Sequence, residues 1–287
     1  MTFINAASRP DYLAPSRFIS NSEANPKPEN IQAGTTKQPV ENAPKAANIS
    51  APLVSSSVQS TLLRLQETGS VFDDKDSQLM NIRGVNNYDR ARFAELIVEA
   101  SEKGGYNNPV AYIKSLPKDD IQLLMRVHSL AEPRGVTNTD VEGAYNLLLP
   151  KSDHVDSNRD GLVNTGAATG FYFPPPNSPQ SVKDAWEETI KDMSLEDRMM
   201  AEGQFMMASI GANLKLDGDG NVVGIYDHTD PEYTNVFPTS KEGWDSFLKE
   251  MIENLSKAVK RSPELATYLD MMEEFAGNSA AAGNDVG

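Results

Sequence analysis

The chain has 287 residues, 39% of them hydrophobic, and a formal net charge of −15 that argues against nucleic acid and anionic lipid as partners and for proteins or cations. Cysteine is absent, which excludes disulfides, thiolate zinc sites and Cys nucleophiles. No stretch approaches the ~18 apolar residues that cross a bilayer, so no membrane insertion is expected.

Residues 1–54 carry Pro10, Pro15, Pro26, Pro28, Pro39, Pro44 and Pro52 among Asn, Ser, Ala and Lys. Proline removes backbone donors, and the segment has too few large apolar residues to offset the entropy of ordering. A disordered N-terminal arm is expected. The opening MTFINAASRPDYLAPSRF lacks the basic-then-apolar order of a signal peptide, so the default location is cytoplasmic, with export lacking a cleavable signal left open.

Residues 55–150 read as a helical region. In SSSVQSTLLRLQETG, Ser56 or Ser57 can cap a helix whose Val58, Leu62 and Leu65 share a face before Gly69. This serine-led segment, residues 55–69, resembles one found in uncharacterised flagellum-associated bacterial proteins. In YDRARFAELIVEASEKGG, Phe93, Leu96, Ile97 and Ala100 form an apolar stripe that Gly104 and Gly105 end. A short helix VAYIKSL follows. PKDDIQLLMRVHSLAEPRG then reads as a helix with Asp119 and Asp120 at its positive end, and Thr137–Leu149 as another, capped from TNTD and closed by Pro150.

Residues 151–177 break the pattern and read as an irregular Asp/Gly/Pro-rich loop. Helices resume over 178–277, opened by Ser178 as a cap and Pro179 at the first helical position. Val182, Ala185, Trp186, Ile190 and Met193 face one way, and Ser194 with Asp197 forms a capping pair for the next helix. Residues 212–226 alternate around LDGDGN and read as a β-hairpin. Trp244, Phe247, Leu248, Met251, Ile252, Leu255 and Val259 then mark a long amphipathic helix, and Ser262–Pro263 opens a last one with Leu265, Leu269, Met272 and Phe275 inward. Residues 278–287 read as a disordered tail. The fold class expected is mainly α: a helical body with one small β-hairpin.

DHVDSNRDGLVNTG is the stretch that points at chemistry. Calcium takes six to eight oxygens from a flexible loop. Asp156, Asn158 and Asp160 alternate, Gly161 permits a sharp bend, the Leu162 carbonyl can be the next ligand, and Val163 can pack beneath. Residues 156–164 resemble the first half of an EF-hand or dockerin-like calcium loop, with Asn164 where a water-mediated ligand is usual. The resemblance implies Ca²⁺ held by Asp156, Asn158, Asp160, Leu162 and Asn164. The loop departs from the pattern at Ala167, where an EF-hand has a bidentate glutamate, and Pro150 interrupts the entering helix. The alternative is an Asx-rich turn bonded to its own backbone. In LDGDGNVV, the alternation of Asp217, Asp219 and Asn221 is accounted for by a hairpin turn with positive φ at Gly218 and Gly220.

Other candidates are few. His128 lies on an apolar helix face and reads as a core histidine. If their loops meet, His154, Asp156, Asp227, His228 and Asp230 can bind a transition metal and activate water, as in a metal-dependent hydrolase. No HExxH, P-loop, GxSxG or dinucleotide fingerprint is present. Met199, Met200, Met206 and Met207 read as core filling, with an adaptable partner groove as the alternative. The composite expectation is a non-catalytic accessory protein of bacterial type that binds a protein partner, associated with an appendage or secretion apparatus. The calcium module and the hydrolase are the alternatives.

Overall fold

The computed structural model describes residues 51–282, and the expected disorder of residues 1–50 and 283–287 lies outside them. The first helix, α1 (Ala51–Thr68), starts four residues before the predicted segment, so Ser56 and Ser57 are interior rather than capping. Its Thr61 hydroxyl donates to Asp153 at 2.6 Å, and Arg64 grips the same carboxylate through two nitrogens at 2.9 and 3.0 Å. A helix that the sequence marks only by three apolar residues is thus anchored by an ion pair from a distant turn.

Next come α2 (Asp74–Ile82), capped by Asp73, and α3 (Asn87–Glu102), capped by Asn86. Phe93, Leu96, Ile97 and Ala100 of α3 are all fully buried, as their spacing predicts. Burying each large apolar side chain contributes roughly 1.5–3 kcal/mol. Gly104 takes the left-handed conformation (φ 69°) that ends the helix. The short α4 (Pro109–Ser115) leads to α5 (Lys118–His128). Two forked ion pairs tie these helices across their polar faces: Arg92 to Asp120 at 2.9 and 2.8 Å, and Arg126 to Asp89 at 3.2 and 2.8 Å.

The helix expected over 137–149 is shorter. A single turn, α6 (Arg134–Thr137), precedes α7 (Val141–Asn146), because the Asp140 side chain accepts from the Gly143 amide and sets a new N-terminus there. The helices α1–α7 enclose one apolar cluster built around Phe93, Leu124 and Leu147.

Residues 151–177 are not wholly irregular. They contain an antiparallel hairpin of β1 (Val163–Thr165) and β2 (Ala168–Gly170), which makes two hairpins where one is expected. Three-residue strands give too short an alternation to register in sequence. The hairpin docks on α7 closely: a Cβ on Gly143 would sit 2.1 Å from the Gly166 carbonyl oxygen, and one on Gly166 would sit 2.0 Å from that of Gly135.

The second half holds α8 (Gln180–Ile190), α9 (Leu195–Ala212), the hairpin β3 (Leu214–Leu216) with β4 (Val222–Ile225), α10 (Lys241–Val259) and α11 (Ala266–Ala282). The hairpin falls within 212–226 as predicted, although only Gly220 of its two turn glycines has positive φ (83°). Pro179, not Ser178, occupies the N-cap of α8; Ser178 is buried with its hydroxyl unbonded. Ser194 caps α9 as expected, accepting from the Asp197 amide at 3.1 Å. The terminal helix runs past the predicted end, since Asn278 donates to Thr189 at 3.0 Å and Ser279 is fully buried. Trp186, Trp244, Phe205 and Phe275 centre the second cluster, and Phe173 from the intervening segment enters it, stacked on Phe205 at 3.6 Å. No described helix is long and apolar enough to cross a membrane.

Candidate functional site

The stretch from Asp156 to Leu162 folds as a tight loop between the 3-10 turn Lys151–Asp153 and β1, which holds Val163 and Asn164. Asp156 Oδ2 accepts from the Gly161 amide at 3.0 Å, so the first carboxylate closes the loop on its glycine, whose φ is 82°. Asp160 Oδ1 accepts from the Leu162 amide at 2.8 Å, and its Oδ2 accepts from Asn158 Nδ2 at 2.9 Å. Asn158 Oδ1 accepts from the Asp160 amide at 3.0 Å. Val163 is buried beneath the loop on β1. Asp156, Asn158 and Asp160 therefore share one turn, with the local side-chain-to-backbone bonds of an Asx-rich loop.

Asn164 sits differently. Its Nδ2 donates to Asp140 at 2.9 Å and its Oδ1 accepts from Thr169 at 2.7 Å, so its side chain locks β1 to β2 and to the cap of α7. Beside it, Asn146 bonds the Val155 amide and the Val155 and Asn164 carbonyls at 2.7–2.9 Å, fixing where the loop begins and ends.

One carboxylate at this site carries no signal in the loop sequence. Glu142, on α7, is buried behind the loop; its Oε2 accepts from the Ser157 amide and hydroxyl, both at 2.7 Å, and its Oε1 from the Asn164 amide at 2.9 Å. Its position follows from the Asp140 cap, which starts α7 one residue earlier and turns Glu142 toward the loop. A buried acid this far upstream has no spacing rule to find it.

The electrostatics are unusual for a surface turn. Asp156 is fully buried, and its Oδ1 has no hydrogen-bond partner among the described residues. Burial, with the nearby charges of Asp160 and Glu142 added, pushes its carboxyl up to about 7. Burial likewise raises Glu142, against the bonds from Asn164 and Ser157 that favour its ionised form. Three acids thus meet where only part of their acceptor capacity is used.

The two histidine loops do meet, through Asp160: His228 Nδ1 lies 3.3 Å from Asp160 Oδ2. Asn235, in the same segment, donates to the Arg159 carbonyl at 2.9 Å and packs where a Cβ on Gly161 would collide with it at 2.6 Å. His154 faces elsewhere. Its Nε2 donates to the Leu149 carbonyl at 3.3 Å, leaving Nδ1 to accept from Tyr172 at 3.2 Å or Thr165 at 3.3 Å. Asp227 and Asp230 bond Thr229 and Lys215. Among the described residues, no group of three or more His, Asp or Glu side chains is arranged to hold a metal ion. A cation at this loop would draw on the neutral oxygens of Asn158 and Leu162 as well as on Asp156 and Asp160.

His128 is a core histidine, as its helix face predicts. It is buried against Phe93, its Nε2 donates to the Leu147 carbonyl at 3.0 Å, and burial lowers its pKa to about 4. The methionines of α9 correct the core reading: Met199, Met200, Met206 and Met207 are 64, 52, 41 and 37% exposed, whereas Met271 and Met272 of α11 are buried. The helix turns Ala201 and Phe205 inward instead, so the thioethers fall on its outer side.

No protein-family model, no curated protein and no solved structure matches the chain.

Proposed function

We propose that the chain is a non-catalytic, calcium-responsive protein whose ion site is the loop Asp156–Asn164. The observation that carries this reading is the buried Asp156 Oδ1, unbonded and crowded by Asp160 and Glu142. A buried carboxylate oxygen without a donor is destabilising, and a hard cation relieves both the desolvation and the repulsion. Asp156 and Asp160 supply the charge, Asn158 and the Leu162 carbonyl supply neutral oxygens, and water completes the shell. Glu142 and Asn164 hold the loop in shape through the bonds described above. Calcium suits a loop of this kind better than magnesium, which demands a small octahedral shell and gives up water reluctantly.

Melting in EGTA and across a calcium titration up to about 10 mM tests the reading. The melting temperature should rise with the logarithm of calcium concentration, magnesium should do much less, and Asp160→Ala should abolish the response. Superimposable wild-type curves throughout would leave the loop a polar turn.

A second reading, partner binding, is supported by the exposed methionines of α9. Thioethers are flexible and polarisable, and an outward row of four suits an adaptable apolar contact. Replacing all four with Gln should leave the fold intact, by circular dichroism, while removing surface apolar binding of a hydrophobic dye. Unchanged dye binding would discard this face.

A further inference from the structure

We infer that a second site, a cavity of about 130 Å³ between β1–β2 and the ends of α2 and α5, binds a phosphate group. Arg83 and Lys151 line it together with His128, His154, Thr165 and Tyr172. None of its eleven lining residues is acidic, in a chain with 41 Asp and Glu. That composition is a local inversion of the chain's charge.

The two cations are available. Neither Arg83 nor Lys151 forms an ion pair with the described residues, in contrast to Arg64, Arg92 and Arg126, each of which grips a carboxylate. Arg83 spends Nη1 on the Val127 carbonyl, which fixes the guanidinium plane, and its Nε and Nη2 make no hydrogen bond to the described residues. Lys151 reaches over the Tyr172 ring, 4.7 Å from its centroid. A half-buried guanidinium without a direct ion pair is disfavoured, and burial lowers the Arg83 pKa although the more distant Asp76 charge opposes this.

Aromatic rings pack along the walls. Tyr172 stacks on His154 at 5.9 Å, and His154 lies against His128 at 5.6 Å. Burial keeps both imidazoles below their ordinary range, so they are neutral at pH 7 and the lining carries two positive charges. A phosphate bearing about −1.5 to −2 charges matches that pair, and the planar Arg fork suits its oxygens. A monocarboxylate would leave one cation uncompensated. The apolar Leu130, Val163 and Ala168 along the wall give room for a small organic remainder.

Titration calorimetry of the whole chain in EGTA and low-chloride buffer tests this apart from any calcium effect. The probes are inorganic phosphate, glycerol 3-phosphate and acetate. Either phosphate probe should bind with Kd near or below about 1 mM, and acetate about tenfold more weakly. Tighter binding of glycerol 3-phosphate than of phosphate would assign the site to a monoester, and equal binding to the free anion. Lys151→Gln, at an exposed position, should weaken binding by about tenfold with the fold retained, and Arg83→Gln by more. Absence of binding of both phosphate probes up to about 10 mM would overturn the inference. Binding unaltered in Lys151→Gln would overturn it equally, whether or not Arg83→Gln folds.

Discussion

His228 Nδ1 lies 3.3 Å from Asp160 Oδ2, bringing together two polar loops that are far apart along the chain. The same oxygen accepts from Asn158, so the carboxylate proposed as a calcium ligand is already contested. A calcium ion at the loop has to displace the imidazole. His228→Ala should therefore bind calcium more tightly than wild type, by about fivefold if the displaced contact is worth about 1 kcal/mol. The midpoint of the calcium-dependent rise in melting temperature reads this directly. A weaker response in the variant would make His228 a helper of the site rather than a competitor.

Asp156→Asn removes a buried charge but keeps an oxygen for the Gly161 amide. Because the folded carboxyl is raised to about 7 from an unfolded value near 3.8, its ionised form is disfavoured by folding above that range. The variant should be more stable than the ion-free wild type at pH 8, by about 1–3 kcal/mol in urea unfolding. It should also lose its calcium response. Lower stability than wild type in EGTA would mean that the charge is compensated in the fold.

His128 makes acid stability predictable in sign. Its folded pKa, about 4, lies below the unfolded value of about 6.5, so the unfolded chain binds the proton first. Its contribution is fully present above pH 6.5 and is lost as pH falls toward 4. Between pH 7 and 5 that amounts to roughly 2 kcal/mol. His128→Gln should flatten the stability profile in this window by close to one proton, measured as urea midpoints at successive pH values. An unchanged slope would show that the imidazole is not held neutral.

Trp244 is fully buried, with its ring 6.2 Å from that of Phe237, 5.5 Å from Phe247 and 6.3 Å from Phe275. Trp244→Ala should cost about 3–5 kcal/mol, because the cavity left among aromatic rings cannot collapse fully. Denaturant unfolding followed by far-UV circular dichroism measures it. A loss below about 1 kcal/mol would contradict the packing of α10 described above.

The amino-acid pattern alone specifies the helices whose apolar residues repeat over several turns, such as α3 with Phe93 to Ala100 and α10 with Trp244 to Leu255, because a 3.6-residue period is a local property. It also determined the Ser194 cap and the hairpin around Asp217–Asn221, each complete within a few residues. The Asp156–Asp160 alternation was legible for the same reason. Long-range packing settles what surrounds that loop. Glu142 is brought behind it by the Asp140 cap, His228 in front of it by the 227–235 segment, and Asn164 is drawn aside by Asp140 and Thr169. It also decided that the α9 methionines face outward and that Arg83, Lys151 and Tyr172 line one cavity. Those outcomes depend on which distant backbone closes against which, through contacts such as Gly143 on Gly166, and no local period encodes them.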